Sequence, residues 1–190
     1  MRILSGAARS RRLKNLPRGW EVRPIFARMR KSLFDILRPR LVDKTFLDLF
    51  AGIGTVGLEA LSNGAKHAVF IDKDRTSLKN IEANVRDLGF GGQTEIYYGD
   101  VTRDLSFLAN RQFDFIFLGP PYRDDKKQPL ALSVPSLKKI LEAGLALPHS
   151  WVINQHHKKE DVSGALSEWN EFRRNVYGDS VLSFFQRRVS

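Results

Sequence analysis

Two groups of residues have the types and spacing to do chemistry. The first is a glycine turn with carboxylates around it. Gly52-Ile53-Gly54-Thr55-Val56-Gly57 spells G-x-G-x-x-G within LDLFAGIGTVGLEAL. It follows an apolar run and opens a helical pattern, the setting in which such a turn binds a ligand. Glycine lets the chain bend sharply and lets a ligand approach the backbone, and the first turn of a helix offers free N–H groups. Asp72 ends the next apolar run, HAVFID, where a carboxylate can accept hydrogen bonds from two ribose hydroxyls. That geometry serves NAD and S-adenosylmethionine alike. Asp48, ahead of the glycines, is unfavourable beside a pyrophosphate and suits the cationic amino-acid end of S-adenosylmethionine. Asp100, in YYGDV, is placed to meet an adenine amino group, and the same residue can cap a helix over VTRDLSFL.

The second group is FLGPPY, Phe117 to Tyr122. Proline rarely sits inside a central strand, so the apolar run FDFIFL should end at this turn. Two prolines fix the carbonyls beside them, and Tyr122 offers a face on which a flat ligand can stack. The plainer reading is a rigid strand-ending turn with an aromatic ring packed over it. No cysteine is present, which removes disulfides, cysteine zinc sites and thiol nucleophiles and fits a reducing cytosol. His156 and His157 are adjacent rather than one helical turn apart, so no metal site is expected.

These residues need a frame. The segments TFLDLF, HAVFID, TEIYYGD, FDFIFLG and SWVINQ read as short strands. They are separated by the helical stretches TVGLEALSNGA, RTSLKNIEANVRDLG, VTRDLSFLAN and SVPSLKKILEAGLA. Such alternation predicts an α/β fold, a mostly parallel sheet with helices on both faces. EFRRNVYGDSVLSFFQRR breaks the alternation and reads as an antiparallel hairpin turning at Gly178-Asp179.

A helix is predicted over 24–38, with Pro24 in its first turn, Pro39 as its stop, and Phe26, Met29, Leu33 and Leu37 as its apolar stripe. Residues 1–23 read as a basic arm of loops and extended pieces, and 45–190 as the sheet-and-helix core of a single domain. Charge is segregated. Residues 1–40 hold 12 Lys/Arg and 2 Asp/Glu, and residues 41–190 hold 19 of each, so the whole net charge of +10 lies in the first forty. That block points to a polyanion, nucleic acid or an anionic membrane, with a solvated basic face as the plainer alternative. No apolar stretch approaches a membrane span or a signal peptide.

DLFAGIGTVGLEAL, FIDKD, GDV and a fourth strand ending in PPY, in that order, resemble a Rossmann-like class I S-adenosylmethionine-dependent methyltransferase. MRILSGAARSRRL followed by VRPIFARMRKSLFDIL sharpens the match. It resembles the RsmD-type methyltransferases, which act on a guanine N2 in small-subunit (16S) ribosomal RNA. The resemblance implies a seven-stranded sheet, S-adenosyl-L-methionine as cofactor, and ribosomal RNA or a small-subunit assembly intermediate as partner. A cytoplasmic setting and a monomer are the simplest expectations.

By position, the resemblance puts Asp48, Phe50, Gly52 and Gly54 under the methionine part, Asp72 on the ribose and Lys73 beside the adenine. It puts Asp100 and Val101 at the adenine edge, and Gly119, Pro120, Pro121 and Tyr122 around the target base. Arg9, Arg11, Arg12, Lys14, Arg28 and Arg30 would grip phosphates. Three positions depart from the family's pattern: Gly119 replaces an acidic or amide residue, Ile25 a threonine, and Lys31 a glutamate. The alternatives are a low-activity or inactive relative that still binds cofactor and RNA, an amino-methyltransferase for another base or a protein, and an NAD-type oxidoreductase.

Overall fold

Strand and helix alternate along the chain, as the apolar runs require. A computed structural model describes residues 1–14, 25–124, 126–165 and 167–188. The chain divides into two compact units, Met1–Gly99 and Asp100–Ser190. Seven strands make a mixed sheet, mostly parallel, with an antiparallel C-terminal hairpin. Among the described residues, no helix is long and apolar enough to cross a membrane.

In the first unit, helix α1 spans Ala27–Leu41, and strand β1 (Thr45–Leu49) leads into helix α2 (Thr55–Ser62). Strand β2 (His67–Asp72), helix α3 (Arg75–Leu88) and strand β3 (Thr94–Tyr98) follow. β2 pairs in parallel with β1 on one side and with β3 on the other. The expected stop at Pro39 is not observed, because α1 runs through it to Leu41. Proline gives up its own bond to the Asp35 carbonyl and crowds that carbonyl, but it does so near the helix end, where the buried Leu41 anchors the last turn. Met29, Leu33 and Leu37 are buried as the stripe predicts, whereas Phe26 caps the helix and lies exposed. Pro24 lies outside the described residues.

Helix α2 is buried along its whole length. It lies so close to β2 that a Cβ on Gly57 would stand 2.3 Å from Cε1 of Phe70. Gly57→Ala is therefore expected to cost roughly 1–3 kcal/mol through overpacking. Thermal unfolding should show the loss, and shortening the ring with Phe70→Leu should recover part of it.

The second unit holds strand β4 (Phe113–Leu118), helix α4 (Ser133–Glu142), strand β5 (Ala146–His157) and strands β6 (Trp169–Tyr177) and β7 (Ser180–Arg187). β4 and β5 are parallel, while β7 runs antiparallel to both β5 and β6. The β6–β7 turn falls at Gly178-Asp179, as the sequence predicts. VTRDLSFLAN, expected as a helix, is instead a pair of turns with a single 3₁₀ turn at Ser106–Leu108. Asp100 and Asp104 each fold their side chains back onto the backbone N–H two residues on, at 3.0 and 2.8 Å. Such local bonds compete with helix formation.

Candidate active site

The glycine turn leaves β1 through alternating left-handed residues. Phe50, Gly52 and Gly54 have φ of 60°, 56° and 75°. Two glycines make this path cheap, but Phe50 adopts it against the steric preference of a side chain. Two carboxylates fasten the turn. Asp48 is buried in β1 and accepts from the Gly57 N–H at 2.8 Å. Burial pushes its pKa up to about 8; the Gly57 bond opposes the shift and the nearby Asp72 adds to it.

Asp72, at the end of β2, accepts from the Gly52 N–H at 2.7 Å through one oxygen and from the Asp74 N–H at 2.8 Å through the other. Burial again raises its pKa, against those two backbone bonds. Each carboxylate oxygen has two acceptor positions, so Asp72 keeps capacity for a pair of hydroxyls. Lys73, next in the chain, is exposed.

In the second unit Asp100 is half-buried, and its Oδ1 takes both the N–H and the hydroxyl of Thr102, at 3.0 and 2.7 Å. Val101 beside it is buried. Past β4, Pro120 is buried, Pro121 exposed and Tyr122 half-buried. Tyr122 donates its hydroxyl to Ser180 Oγ at 3.0 Å and accepts from Gln155 Nε2 at 3.1 Å. Its ring meets His157 edge to face, with centroids 5.7 Å apart. His156, by contrast, is a buried residue of the sheet, bonded to Ser183 Oγ and the His157 carbonyl, and burial lowers its pKa.

The cations expected on phosphates divide. Arg9, Arg11, Arg12, Lys14 and Arg28 are exposed. Arg11 reaches the Asp87 carbonyl at 2.6 Å and Lys14 the Asp87 carboxylate at 2.9 Å, near the C-terminal end of α3. Arg30 does not belong with them. It is 2% exposed, with Nε 3.4 Å from the Glu59 carboxylate and Nη2 donating to the Arg2 carbonyl at 2.7 Å. A guanidinium so enclosed has no face left for a phosphate. Burial lowers its pKa and Glu59 opposes the shift.

Glu59 is the residue that sequence reasoning missed. Wholly buried on α2, it accepts from the backbone N–H groups of Leu4 and Ser5 at 3.0 and 2.8 Å. The arm is thereby stitched to the helix that the glycine turn opens, and Ile3, Ala8 and Leu13 are buried with it. One signal was available: Glu59 is the single charged residue in TVGLEALS.

The family model described as conserved hypothetical protein 95 matches residues 1–186. The chain belongs to this family, that of the RsmD-type methyltransferases. Ribosomal RNA small subunit methyltransferase D of Escherichia coli (strain K12) is 28% identical over 191 residues, covering 100% of this chain and 91% of that protein. The methyltransferase of the same name from Buchnera aphidicola is 30% identical over 176 residues, covering 92% and 86%. The solved structure of the yhhF protein of Escherichia coli superimposes with a TM-score of 0.83 at 28% identity, covering 100% of this chain and 99% of that one.

Two of the three departures from the RsmD-type pattern have plain structural settings. Ile25 is buried just ahead of α1. Lys31 points outward and pairs with Asp35 one helical turn on, at 2.7 Å. Gly119 stands directly in the strand-end turn. There an added Cβ would lie 3.0 Å from the Phe117 ring and 3.8 Å from Gln155 Oε1.

Proposed function

We propose that the chain transfers a methyl group from S-adenosylmethionine to the exocyclic N2 of a guanine in small-subunit (16S) ribosomal RNA, in the cytoplasm. The observation that carries the reading is the end of β4, where Tyr122 is held by Ser180 and Gln155 beside the rigid Pro120-Pro121 pair, in a chain whose relatives are named ribosomal RNA methyltransferases.

The cofactor's chemistry is an electrophilic methyl on a sulfonium sulfur. The residues present suit it. Asp48 is a buried carboxylate whose pKa burial has raised, and the cofactor's amino-acid end brings an ammonium that would pair with it. Asp72 has acceptor capacity for the ribose, and on this reading Asp100 takes the adenine edge.

A guanine amino group is a poor nucleophile because its lone pair is delocalised into the ring. Acceptors beside its N–H bonds favour the tetrahedral nitrogen that attacks and stabilise the charge it acquires. The Pro120 carbonyl is one such acceptor. Tyr122 stacks on the extruded base, an interaction worth about 1–3 kcal/mol. The remaining work is alignment of nitrogen, methyl and sulfur.

The test is transfer of labelled methyl from S-adenosylmethionine to small-subunit RNA and to assembling particles, with the product nucleoside identified as N2-methylguanosine. A chain that binds S-adenosylhomocysteine yet labels neither substrate above background overturns the reading.

Phosphate contacts supply affinity and its salt dependence. Changing Arg9, Arg12 and Arg28 together to glutamine is expected to weaken RNA binding at least tenfold and to flatten its dependence on salt. Affinity for S-adenosylhomocysteine should stay within error. A parallel loss of both affinities would show that these residues hold the fold rather than the RNA.

A further inference from the structure

The family's acidic or amide residue is missing at Gly119, yet the position it would occupy is not without an acceptor. Leu118 is the register partner of Asn154 across β4 and β5, so the next residue along β5, Gln155, lies beside Gly119. Its Oε1 stands 3.8 Å from where a Cβ on Gly119 would be. An aspartate or asparagine oxygen lies about 2.4 Å beyond its own Cβ by ordinary bond lengths. Oε1 therefore occupies the same neighbourhood, reached from the adjacent strand rather than from the turn.

The side chain is also held in place. Gln155 is 9% exposed, and its Nε2 donates to the Tyr122 hydroxyl at 3.1 Å, which donates in turn to Ser180 Oγ at 3.0 Å. With Nε2 engaged, Oε1 is the atom left toward Gly119, and no described donor bonds to it. Oε1 is not sealed away as the neighbouring Asn154 Nδ2 is, so it opens to solvent and can exchange a water for a ligand N–H.

We infer that Gln155 is a catalytic residue of this chain: its side-chain carbonyl accepts an N–H of the target amino group, in place of the side chain absent at 119. The inference rests on the amino-methyltransfer reading above. In the step it serves, the nitrogen lone pair forms the new N–C bond to the methyl while the S–C bond breaks and its electron pair stays on sulfur. The nitrogen passes through an ammonium and loses one proton to water. Gln155 takes no proton; it orients the N–H and stabilises the positive charge that develops, as a preorganised dipole does. The bonds through Tyr122 and Ser180 tie the ring that stacks the base to the oxygen that grips its amino group, so both are set by one hydrogen-bonded chain.

The experiment measures methyl transfer to small-subunit RNA or particles, S-adenosylhomocysteine affinity and melting temperature for the wild type, Gln155→Leu, Gln155→Glu, and Gly119→Asn placed in Gln155→Leu. Gln155→Leu is expected to lower kcat by about tenfold to a hundredfold with cofactor affinity unchanged. Gln155→Glu retains an acceptor and should keep most of the rate. The added asparagine, once the Phe117 ring edge gives by a few tenths of an ångström, should restore part of it from the turn. A folded Gln155→Leu protein with wild-type kcat overturns the inference. So does a low kcat that neither acceptor-bearing variant recovers, which would make Gln155 a prop for Tyr122 only. If Gln155→Leu does not fold, Gln155→Ala takes its place: wild-type kcat in the folded protein overturns the inference, and a low kcat that Gly119→Asn partly restores supports it. A wild-type chain that binds cofactor and transfers nothing removes the underlying reading, and this one with it.

Discussion

Glu59→Ala is expected to destabilise the protein by about 3–5 kcal/mol, the cost of removing one partner from a buried ion pair. For a chain of this size that is a fall in melting temperature of roughly 10 °C or more. The loss has three physical sources. Arg30, 2% exposed, would keep its charge with no counter-charge. The backbone N–H groups of Leu4 and Ser5 would lose their acceptor. The arm would lose one of its ties to α2 and keep those from the Ala7 and Ala8 N–H groups to Ser62, at 2.7 and 2.9 Å. Glu59→Gln keeps an acceptor for the amides and gives up only the charge, so its cost should be smaller. Adding Arg30→Met to Glu59→Ala removes the stranded cation and should recover part of the stability, a coupling that a double-mutant cycle measures. Hydrogen exchange at Leu4 and Ser5 should accelerate in Glu59→Ala. Unchanged melting together with unchanged exchange would show that the arm docks without this carboxylate.

The contrast between Glu59 and the glycine turn shows what a sequence makes legible. The turn, the strand before it and the helix after it are local, so their spacing alone located them, along with Asp48 and Asp72 that fasten the turn. The β6–β7 hairpin was legible for the same reason, since Gly178-Asp179 is a self-contained signal. Arg30 was not. A cation beside an apolar stripe reads as solvent-facing, and the carboxylate that draws it inward sits on another helix. Only the packing of α1, α2 and the first fourteen residues brings them together. The turns at Asp100 and Asp104 were missed because apolar spacing suggested a helix while short side-chain bonds to Thr102 and Ser106 won locally. Gln155 was hidden differently. Its closeness to Gly119 depends on strand register, which nothing in FDFIFL or SWVINQ specifies.

Asp48→Asn is expected to separate two properties that the wild type combines. In the unfolded chain this carboxyl has its ordinary pKa near 3.8, and in the folded protein burial pushes it up to about 8. Between those values the folded state holds a proton that the unfolded state does not. The contribution to stability is therefore fully present below about pH 4 and is lost as pH rises through about 8. Asparagine cannot titrate and can still accept from the Gly57 N–H through its oxygen. Without cofactor, Asp48→Asn should lose less stability than the wild type between pH 5 and pH 8, and should be the more stable of the two at the upper end. Asp72 titrates in both proteins and interacts with Asp48, so the difference reports position 48 together with its coupling to Asp72.

Binding should move the opposite way. On the proposed reading, the cofactor's ammonium is the cation that ionises Asp48, and beside a neutral asparagine it would be buried unpaired. Affinity for S-adenosylhomocysteine should fall by about a hundredfold, in keeping with the roughly 2–5 kcal/mol lost when one partner of a buried charge pair is truncated. Calorimetry near pH 6 in buffers of different ionisation enthalpy should show more proton release on binding to the wild type than to Asp48→Asn. Equal affinities with equal proton release would mean that Asp48 only fastens the glycine turn and that the cofactor's cation is held elsewhere.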